Sequence, residues 1–221
     1  MFKTTFFALA WFALNPLACA EPLAPGELKA LLERIREKRA AAPQVQADFV
    51  EVKKVRLLNN PITSSGKVWF QAPNKFRREV KGNSPSTTVS DGQELWIYYP
   101  NFKSAERYAL GKRSPLTAAI AGLTAGLNLE NVEATYHLSG VKRDAGYELQ
   151  LVPRASSMKK FLDRFTIWLN AESGVERTEM SQPGGDRIDT RYSNETRAPI
   201  PASMFQFTPP EGTEVSTPLG K

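Results

Sequence analysis

Cysteine and histidine are almost absent from this chain of 221 residues, where Cys19 and His137 are the only ones. A single histidine with no Gly-x-Ser-x-Gly motif argues against a Ser-His-Asp hydrolase site. The spacings typical of metal ligands are missing too. Asp186 and Asp189 flank a predicted turn, where solvated carboxylates are the ordinary case rather than a catalytic pair. The sequence therefore predicts a binding protein that is not an enzyme and has no catalytic residues, metal or cofactor.

Long hydrophobic runs are missing as well, and the two longest apolar stretches, 6–14 and 117–127, are too short to span a bilayer. The first of them follows Met1-Phe2-Lys3 and precedes Ala18-Cys19-Ala20. A basic start, an apolar run and small residues in this order are typical of a secretory signal peptide. We therefore predict a signal peptide at 1–20, with cleavage after Ala20, and a single mature domain at 21–221.

Cys19 leaves one alternative open. A lipoprotein signal also ends in cysteine, but Pro16, Leu17 and Ala18 before it fit that pattern poorly. If cleavage follows Ala20, the mature chain has no cysteine, so it has no disulfide and no thiol nucleophile.

The formal net charge is +6. In a cytoplasmic protein this excess would suggest nucleic acid, but export removes that partner. An exported basic protein better matches anionic lipid headgroups or an acidic protein surface. Hydrophobic residues make up 41% of the chain, enough for one sizeable core. We expect an exported protein that acts as a monomer and binds no nucleic acid.

Short stretches rich in β-branched and aromatic residues alternate with turn residues along most of the chain, and Asp91-Gly92 is a strong hairpin signal. An amphipathic helix is predicted at 25–42 and a loose charged section at 102–113. The predicted strands are 45–58, 67–70, 75–80, 86–90, 94–99, 132–141, 147–152, 161–169, 175–181 and 187–193. Such a meander is typical of an antiparallel sheet or barrel.

An uncharged helix is predicted at 114–127, where Ser114 can cap the first turn and Pro115 suits its first position. Gly122 and Gly126 each weaken it by about 1 kcal/mol relative to alanine. Its apolar residues recur at helical spacing and form one stripe. The stripe comprises Leu116, Ala119, Ile120, Leu123 and Leu127. Read from its own residues, a weak apolar helix among strands is either a core helix or an interfacial segment.

Several motifs, in this order, resemble the periplasmic outer-membrane lipoprotein carrier family, LolA. They are Val45-Gln46-Ala47-Asp48-Phe49, Gly66-Lys67-Val68-Trp69-Phe70, Pro73-Asn74-Lys75-Phe76-Arg77, Val89-Ser90-Asp91-Gly92, Leu95-Trp96-Ile97-Tyr98-Tyr99-Pro100, Tyr192-Ser193-Asn194 and Phe205-Gln206-Phe207-Thr208-Pro209-Pro210-Glu211-Gly212. The resemblance covers almost the whole mature chain.

The resemblance implies a mainly β fold with some helix: an incomplete antiparallel β-barrel covered by a helical lid. It implies a periplasmic carrier that holds lipoprotein acyl chains in a hydrophobic cavity. The cargo would come from an inner-membrane ABC transporter and pass to an outer-membrane receptor. We expect the cavity and lid to use the stripe above together with Trp69, Phe76, Trp96 and Tyr98. The face that each aromatic residue uses depends on strand register.

One position departs from the family pattern. Well-known members carry an arginine, linked to closing the lid, immediately before the Pro-Asn pair. Here that position holds Ala72, and neither Arg77 nor Arg78 can be assigned the role from sequence. The chain is therefore also compatible with a divergent paralogue that carries another lipid. A receptor of the same fold, with Cys19 acylated, and a periplasmic sensor module are further alternatives, although the sequence shows no second domain or long linker.

Overall fold

Thirteen strands form one sheet in the computed structural model, which describes residues 21–110 and 132–218. The strands are β1 (Glu21–Pro22), β2 (Gln44–Lys54), β3 (Ile62–Gln71), β4 (Lys75–Lys81), β5 (Ser86–Ser90), β6 (Glu94–Tyr99), β7 (Ser104–Ala109), β8 (Tyr136–Arg143), β9 (Gly146–Pro153), β10 (Arg164–Asn170), β11 (Val175–Ser181), β12 (Arg187–Thr196) and β13 (Glu214–Ser216). Their spatial order is β1-β8-β9-β10-β11-β12-β2-β3-β4-β5-β6-β7-β13. Every pairing is antiparallel except that of β13 with β7. The two end strands do not pair, so the predicted unclosed antiparallel sheet is confirmed.

The described helices are few: α1 (Pro25–Ala41), α2 (Val132–Thr135) and α3 (Ser156–Lys159). Pro25 starts α1, and the Glu27 carboxylate accepts a hydrogen bond of 2.9 Å from the Ala24 backbone N–H. This closes the first turn, where helical N–H groups otherwise lack partners. The buried residues of α1 are Leu31, Leu32 and Ile35. They pack against core side chains of β8–β11, so α1 covers that half of the sheet.

The sheet curls, and side chains from distant strands therefore meet on one face. Phe76 of β4 and Phe165 of β10 line the same cleft, although four strands lie between β4 and β10 in the sheet. We call this the concave face. Gly66 shows how tightly it is packed, since a Cβ there would lie 1.8 Å from the Glu79 carbonyl oxygen and 2.9 Å from the Phe49 ring. Only glycine fits opposite Phe49 at this point.

The opposite, convex face of β4–β7 is covered by the C-terminal segment. Phe205 is buried, and the Phe207 ring lies 5.6 Å from that of Trp96 and 5.5 Å from that of Tyr98, measured between centroids. Arg77 donates a hydrogen bond of 3.3 Å to the Met204 carbonyl oxygen. The segment then adds β13 beside β7, which fixes the end of the described chain to the sheet edge.

The structure differs from the sequence expectations at several points, one of which is that the strand predicted at 161–169 begins only at Arg164. Part of the section predicted as loose, 102–113, is the strand β7, which pairs with β6 over its full length. Val132–Thr135 forms a helical turn, so the strand predicted at 132–141 begins only at Tyr136. The first long strand ends at Lys54 rather than residue 58. The predicted helix 114–127 lies outside the described residues, together with Leu116, Ala119, Ile120, Leu123 and Leu127.

Candidate functional site

A narrow cleft opens on the concave face between β2–β4 and β10–β12. Its apolar walls are Phe49, Val68, Phe76, Phe165, Met180 and Ile188. The empty space within it is about 510 Å³ when the solvent at its mouth is included. The cavity that remains between the side chains is only about 30 Å³. The cleft can hold water in this state, and a long apolar ligand would require side chains to move apart.

An ion pair lies inside this apolar cleft. The Nη2 of Arg78 is 2.8 Å from Oε2 of Glu51, and each side chain retains only about a fifth of its exposure, 21% and 20%. Thr190 donates a hydrogen bond of 3.4 Å to the same carboxylate. The Arg78 guanidinium carbon lies 4.2 Å from the centroid of the Phe49 ring, within range for a cation–π contact. The cleft therefore offers one polar point among hydrocarbon walls.

Tyr192 closes the cleft beside this pair. Burial raises the pKa of the Tyr192 phenol, although the hydrogen bond with Thr178 and the positive charge of Arg78 oppose this change. Tyr192 also packs against both hydrophobic clusters of the concave face, one around α1 and one on β2–β4. It stays neutral at physiological pH and joins the cleft to the packed half of the barrel.

A second polar group on the concave side lies at the β6–β7 end of the sheet. Tyr108 donates a hydrogen bond of 2.7 Å to the Glu106 carboxylate. Burial and this hydrogen bond raise the pKa of Tyr108 to about 12. Burial and the nearby Glu106 charge also raise the pKa of Tyr99. These side chains give the end of the concave face a polar, uncharged phenol pair beside one carboxylate.

Strand register divides the four aromatic residues that were expected to line a cavity. Phe76 pairs with Phe70 and Ser90 and points into the cleft. Trp69 pairs with Arg77, one position along from Phe76, and so lies on the convex face.

Trp96 and Tyr98 also lie on the convex face, where both contact Phe207. The structure thus corrects their placement: Trp69, Trp96 and Tyr98 are away from the cleft, and Phe76 alone of the four lines it. The reason is that adjacent strands carry large residues on both faces, and a covering C-terminal segment gives the outer ones an apolar environment.

The sequence expectations missed Glu51 and Arg78 as residues of the site. Strict alternation along β2 could have found them, because Glu51 lies two residues after the buried Phe49 and therefore on the same face. Arg78 is likewise two residues after the buried Phe76. Two strands that each carry a charged side chain of opposite sign at an inward-facing position indicate an ion pair in a cleft.

Ala72, at the position where the family pattern has arginine, has no side chain that could latch a lid. Its backbone N–H donates a hydrogen bond of 2.9 Å to the Pro43 carbonyl oxygen, and its methyl group packs against the β2–β4 cluster. Arg77 is on the convex face, where it pairs with Glu79 at 2.7 Å. Among the described residues that line the cleft, Arg78, two residues after Phe76, is the one that brings a guanidinium into it.

The described residues offer neither a metal site nor a membrane-spanning helix. Among residues 21–110 and 132–218, no group of three or more His, Cys, Asp and Glu side chains is arranged to hold a metal ion. In the same ranges, no helix is both long and apolar enough to cross a membrane.

A known protein family matches most of this chain. The family described as "Outer membrane lipoprotein carrier protein LolA" matches residues 40–208, which include the cleft and the C-terminal segment that covers the convex face. This chain belongs to the LolA family. The resemblance inferred from the short motifs is thereby confirmed over most of the mature chain.

Relatives within the LolA family are similar along nearly their full length. The outer-membrane lipoprotein carrier protein of Methylibium petroleiphilum is 28% identical over 209 residues, which cover 93% of this chain and 96% of the relative. That of Dechloromonas aromatica is 28% identical over 222 residues, with 92% of each chain covered. A crystal structure of an uncharacterized conserved protein from Thermus thermophilus aligns with a TM-score of 0.51 at 13% identity. It covers 86% of this chain and 98% of the other, and the likeness concerns the fold alone.

Proposed function

We propose that this protein is a periplasmic carrier, not an enzyme, that binds the acyl chains of lipoproteins in the concave cleft. Membership of the LolA family and the apolar walls of the cleft support this proposal. Each buried CH₂ group contributes about 0.8 kcal/mol, so the acyl chains of one lipoprotein would cost tens of kcal/mol if left in water. A curled sheet with an apolar inner face provides the shelter that such cargo needs.

The narrow cleft is consistent with an empty, closed carrier. Space for acyl chains would come from separating the side chains of β10–β12 from those of β2–β4, since the sheet is not closed by a final strand pairing. We propose that the apolar stripe of 114–127 completes the cover as a lid. We also propose that an inner-membrane ABC transporter loads the cargo and an outer-membrane receptor accepts it.

The test is release of lipoproteins from membranes. Purified mature protein, residues 21–221, is incubated with spheroplasts, and lipoproteins are measured in the soluble fraction. Phe76→Ser and Ile188→Ser remove apolar wall from the cleft, whereas Trp69→Ser removes an aromatic residue from the convex face. We expect the first two variants to release less lipoprotein and the third to act as wild type, with circular dichroism showing all three folded. Absence of lipoprotein from the soluble fraction with wild-type protein would contradict carriage.

A second candidate function is favoured by Ala72 and by the ion pair in the cleft. A charged pair at the wall suits a lipid with a polar group beside its chains, and no arginine at position 72 supplies the usual latch. We propose a divergent carrier of another lipid as the alternative. Mass spectrometry of lipids that co-purify with the native protein separates the two: lipoprotein peptides support the first function and a free lipid species supports the second.

A further inference from the structure

Three neighbouring connections meet at one end of the sheet. They join β9 to β10 (154–163), β11 to β12 (182–186) and β2 to β3 (55–61). The strand order β9-β10-β11-β12-β2-β3 makes these connections adjacent. Register places them at the same end, because Lys54 pairs with Arg187 and Arg164 pairs with Ser181. We call residues 53–62, 154–164 and 182–187 the basic rim.

Large apolar side chains are exposed on this rim. Leu57 is 86% exposed and Phe161 is 67% exposed, while Leu58 and Ile62 are each 51% exposed. Single exposed apolar residues are ordinary on protein surfaces. Here they occupy the tips of two of the three connections, on either side of the short 182–186 turn.

Positive charge is concentrated on the same rim, which carries eight basic residues and two acidic ones. The basic residues are Lys53, Lys54, Arg56, Arg154, Lys159, Lys160, Arg164 and Arg187. One acidic group, Asp186, is engaged locally, since its carboxylate accepts a hydrogen bond of 2.9 Å from the Arg56 backbone N–H. Within the ranges that the structure describes, none of the eight basic side chains takes part in an ion pair.

The opposite end of the sheet lacks this character. Its turns at 72–74, 91–93, 144–145 and 171–174 contain Asp91, Asp144 and Glu172 and no lysine or arginine. Counted in the same way, on connecting residues alone, the three rim connections carry four basic residues and two acidic ones, so charge is polarised along the strand direction. A protein that was basic only for solubility would not need this positive charge and the highly exposed Leu57 and Phe161 side chains at one end.

We propose that the basic rim docks this protein on an anionic membrane surface. Apolar tips enter the boundary between headgroups and acyl chains, and the surrounding lysine and arginine side chains face lipid phosphates. Protruding single side chains suit a fluid lipid interface, whereas a protein partner would be matched by a groove or a continuous flat patch. This docking is independent of which cargo the concave cleft carries.

The experiment is co-sedimentation of the mature protein, residues 21–221, with vesicles and no lipoprotein. Vesicles of phosphatidylcholine alone are compared with vesicles in which about a third of the lipid is phosphatidylglycerol. We expect binding to the anionic vesicles, weakening as salt shortens the screening length. The double variant Arg56→Gln with Lys160→Gln should bind about 25-fold more weakly, because each lost charge weakens binding about fivefold. The control pair Lys29→Gln and Lys142→Gln, away from the rim, should bind as wild type.

The apolar part is tested separately. Leu57→Ser with Phe161→Ser should weaken binding at least about tenfold, because a few buried CH₂ groups are lost. Val50→Ser, an exposed apolar position on the convex face of β2, is the matched control. A tryptophan placed by Leu57→Trp should shift its emission to shorter wavelength on anionic vesicles only. Equal binding to both vesicle types, no binding to either, or rim variants that match their controls would overturn the proposal, and each of these results leaves the carrier function to its own test.

Discussion

Replacing Arg78 by methionine isolates the role of the charge in the concave cleft. Glu51 would then keep its negative charge beside Phe49 without the guanidinium that lies 2.8 Å away. Breaking a fully buried pair costs about 3–5 kcal/mol. Because each side chain is still about a fifth exposed, 21% and 20%, water screens part of that cost. We expect Arg78→Met to lower the free energy of unfolding by about 2–3 kcal/mol.

The double variant Glu51→Met with Arg78→Met has the opposite expectation. Both charges are gone, and two flexible apolar side chains can fill the space between Phe49 and Thr190. Its free energy of unfolding should lie within about 1 kcal/mol of wild type, since well-packed apolar residues often replace an ion pair without loss. With Glu51→Met as the second single variant, the coupling energy of the cycle should therefore be about 2 kcal/mol or more.

Urea unfolding followed by tryptophan fluorescence measures the cycle, since the chain has four tryptophans. A change of about 2 kcal/mol corresponds to a shift of about 4–8 °C in Tm for a domain of this size. Arg191→Met is the control: its side chain is 72% exposed and lies 3.9 Å from Asp189, so it should change stability by less than about 0.5 kcal/mol. A coupling energy below about 0.5 kcal/mol would refute the argument that low exposure makes this pair matter.

Two further predictions concern the convex face. Burial alone would raise the pKa of Glu148, but hydrogen bonds from Gln150 and Arg143 outweigh it and hold that pKa below its ordinary value. Such a carboxylate stabilises the fold at pH values above its pKa in the unfolded chain, and this contribution is lost as the pH falls through its pKa in the folded protein. Arg143→Ala should therefore lower the free energy of unfolding, measured in urea, by about 1–2 kcal/mol near pH 7 and by progressively less below about pH 4. A loss of stability that does not depend on pH would contradict this. Phe207→Ala removes the ring against Trp96 and should lower stability by about 2 kcal/mol in thermal unfolding. Binding of a fluorescent fatty acid should be unchanged, because Phe207 is on the convex face, and loss of that binding alone would argue against the placement.

Strand order was predictable from the sequence where turn residues are strong. Asp91-Gly92 directs the β5–β6 hairpin, with the Asp91 carboxylate accepting hydrogen bonds of 2.8 Å from the N–H groups of Gln93 and Glu94. The strand β7 was missed because its residues, apart from Tyr108, are short or charged. Its stability comes from pairing with β6 and β13, which no local pattern of residues 104–109 reveals.

The candidate site was predictable only in part. Aromatic residues occur on both faces of β6, so composition could not tell the inner face from the outer one. The strand register determines which face each residue of β6 occupies: Leu95 points inward with Ser90, and Trp96 points outward with Val89. The deciding partner of Trp96 is Phe207, more than a hundred residues along the chain. Such a contact depends on the path of the C-terminal segment and carries no local sequence signal.

The two ends of the sheet have a consequence for solubility. An unclosed barrel has two edges, and a long bare edge strand invites pairing with another chain. Here one edge is β1, which has two residues, and the other is β13, which has three. Pro22 in β1 has no N–H to donate, and β13 covers the first three residues of β7. Where these two short strands lie, the open barrel offers little backbone to which a second copy could add.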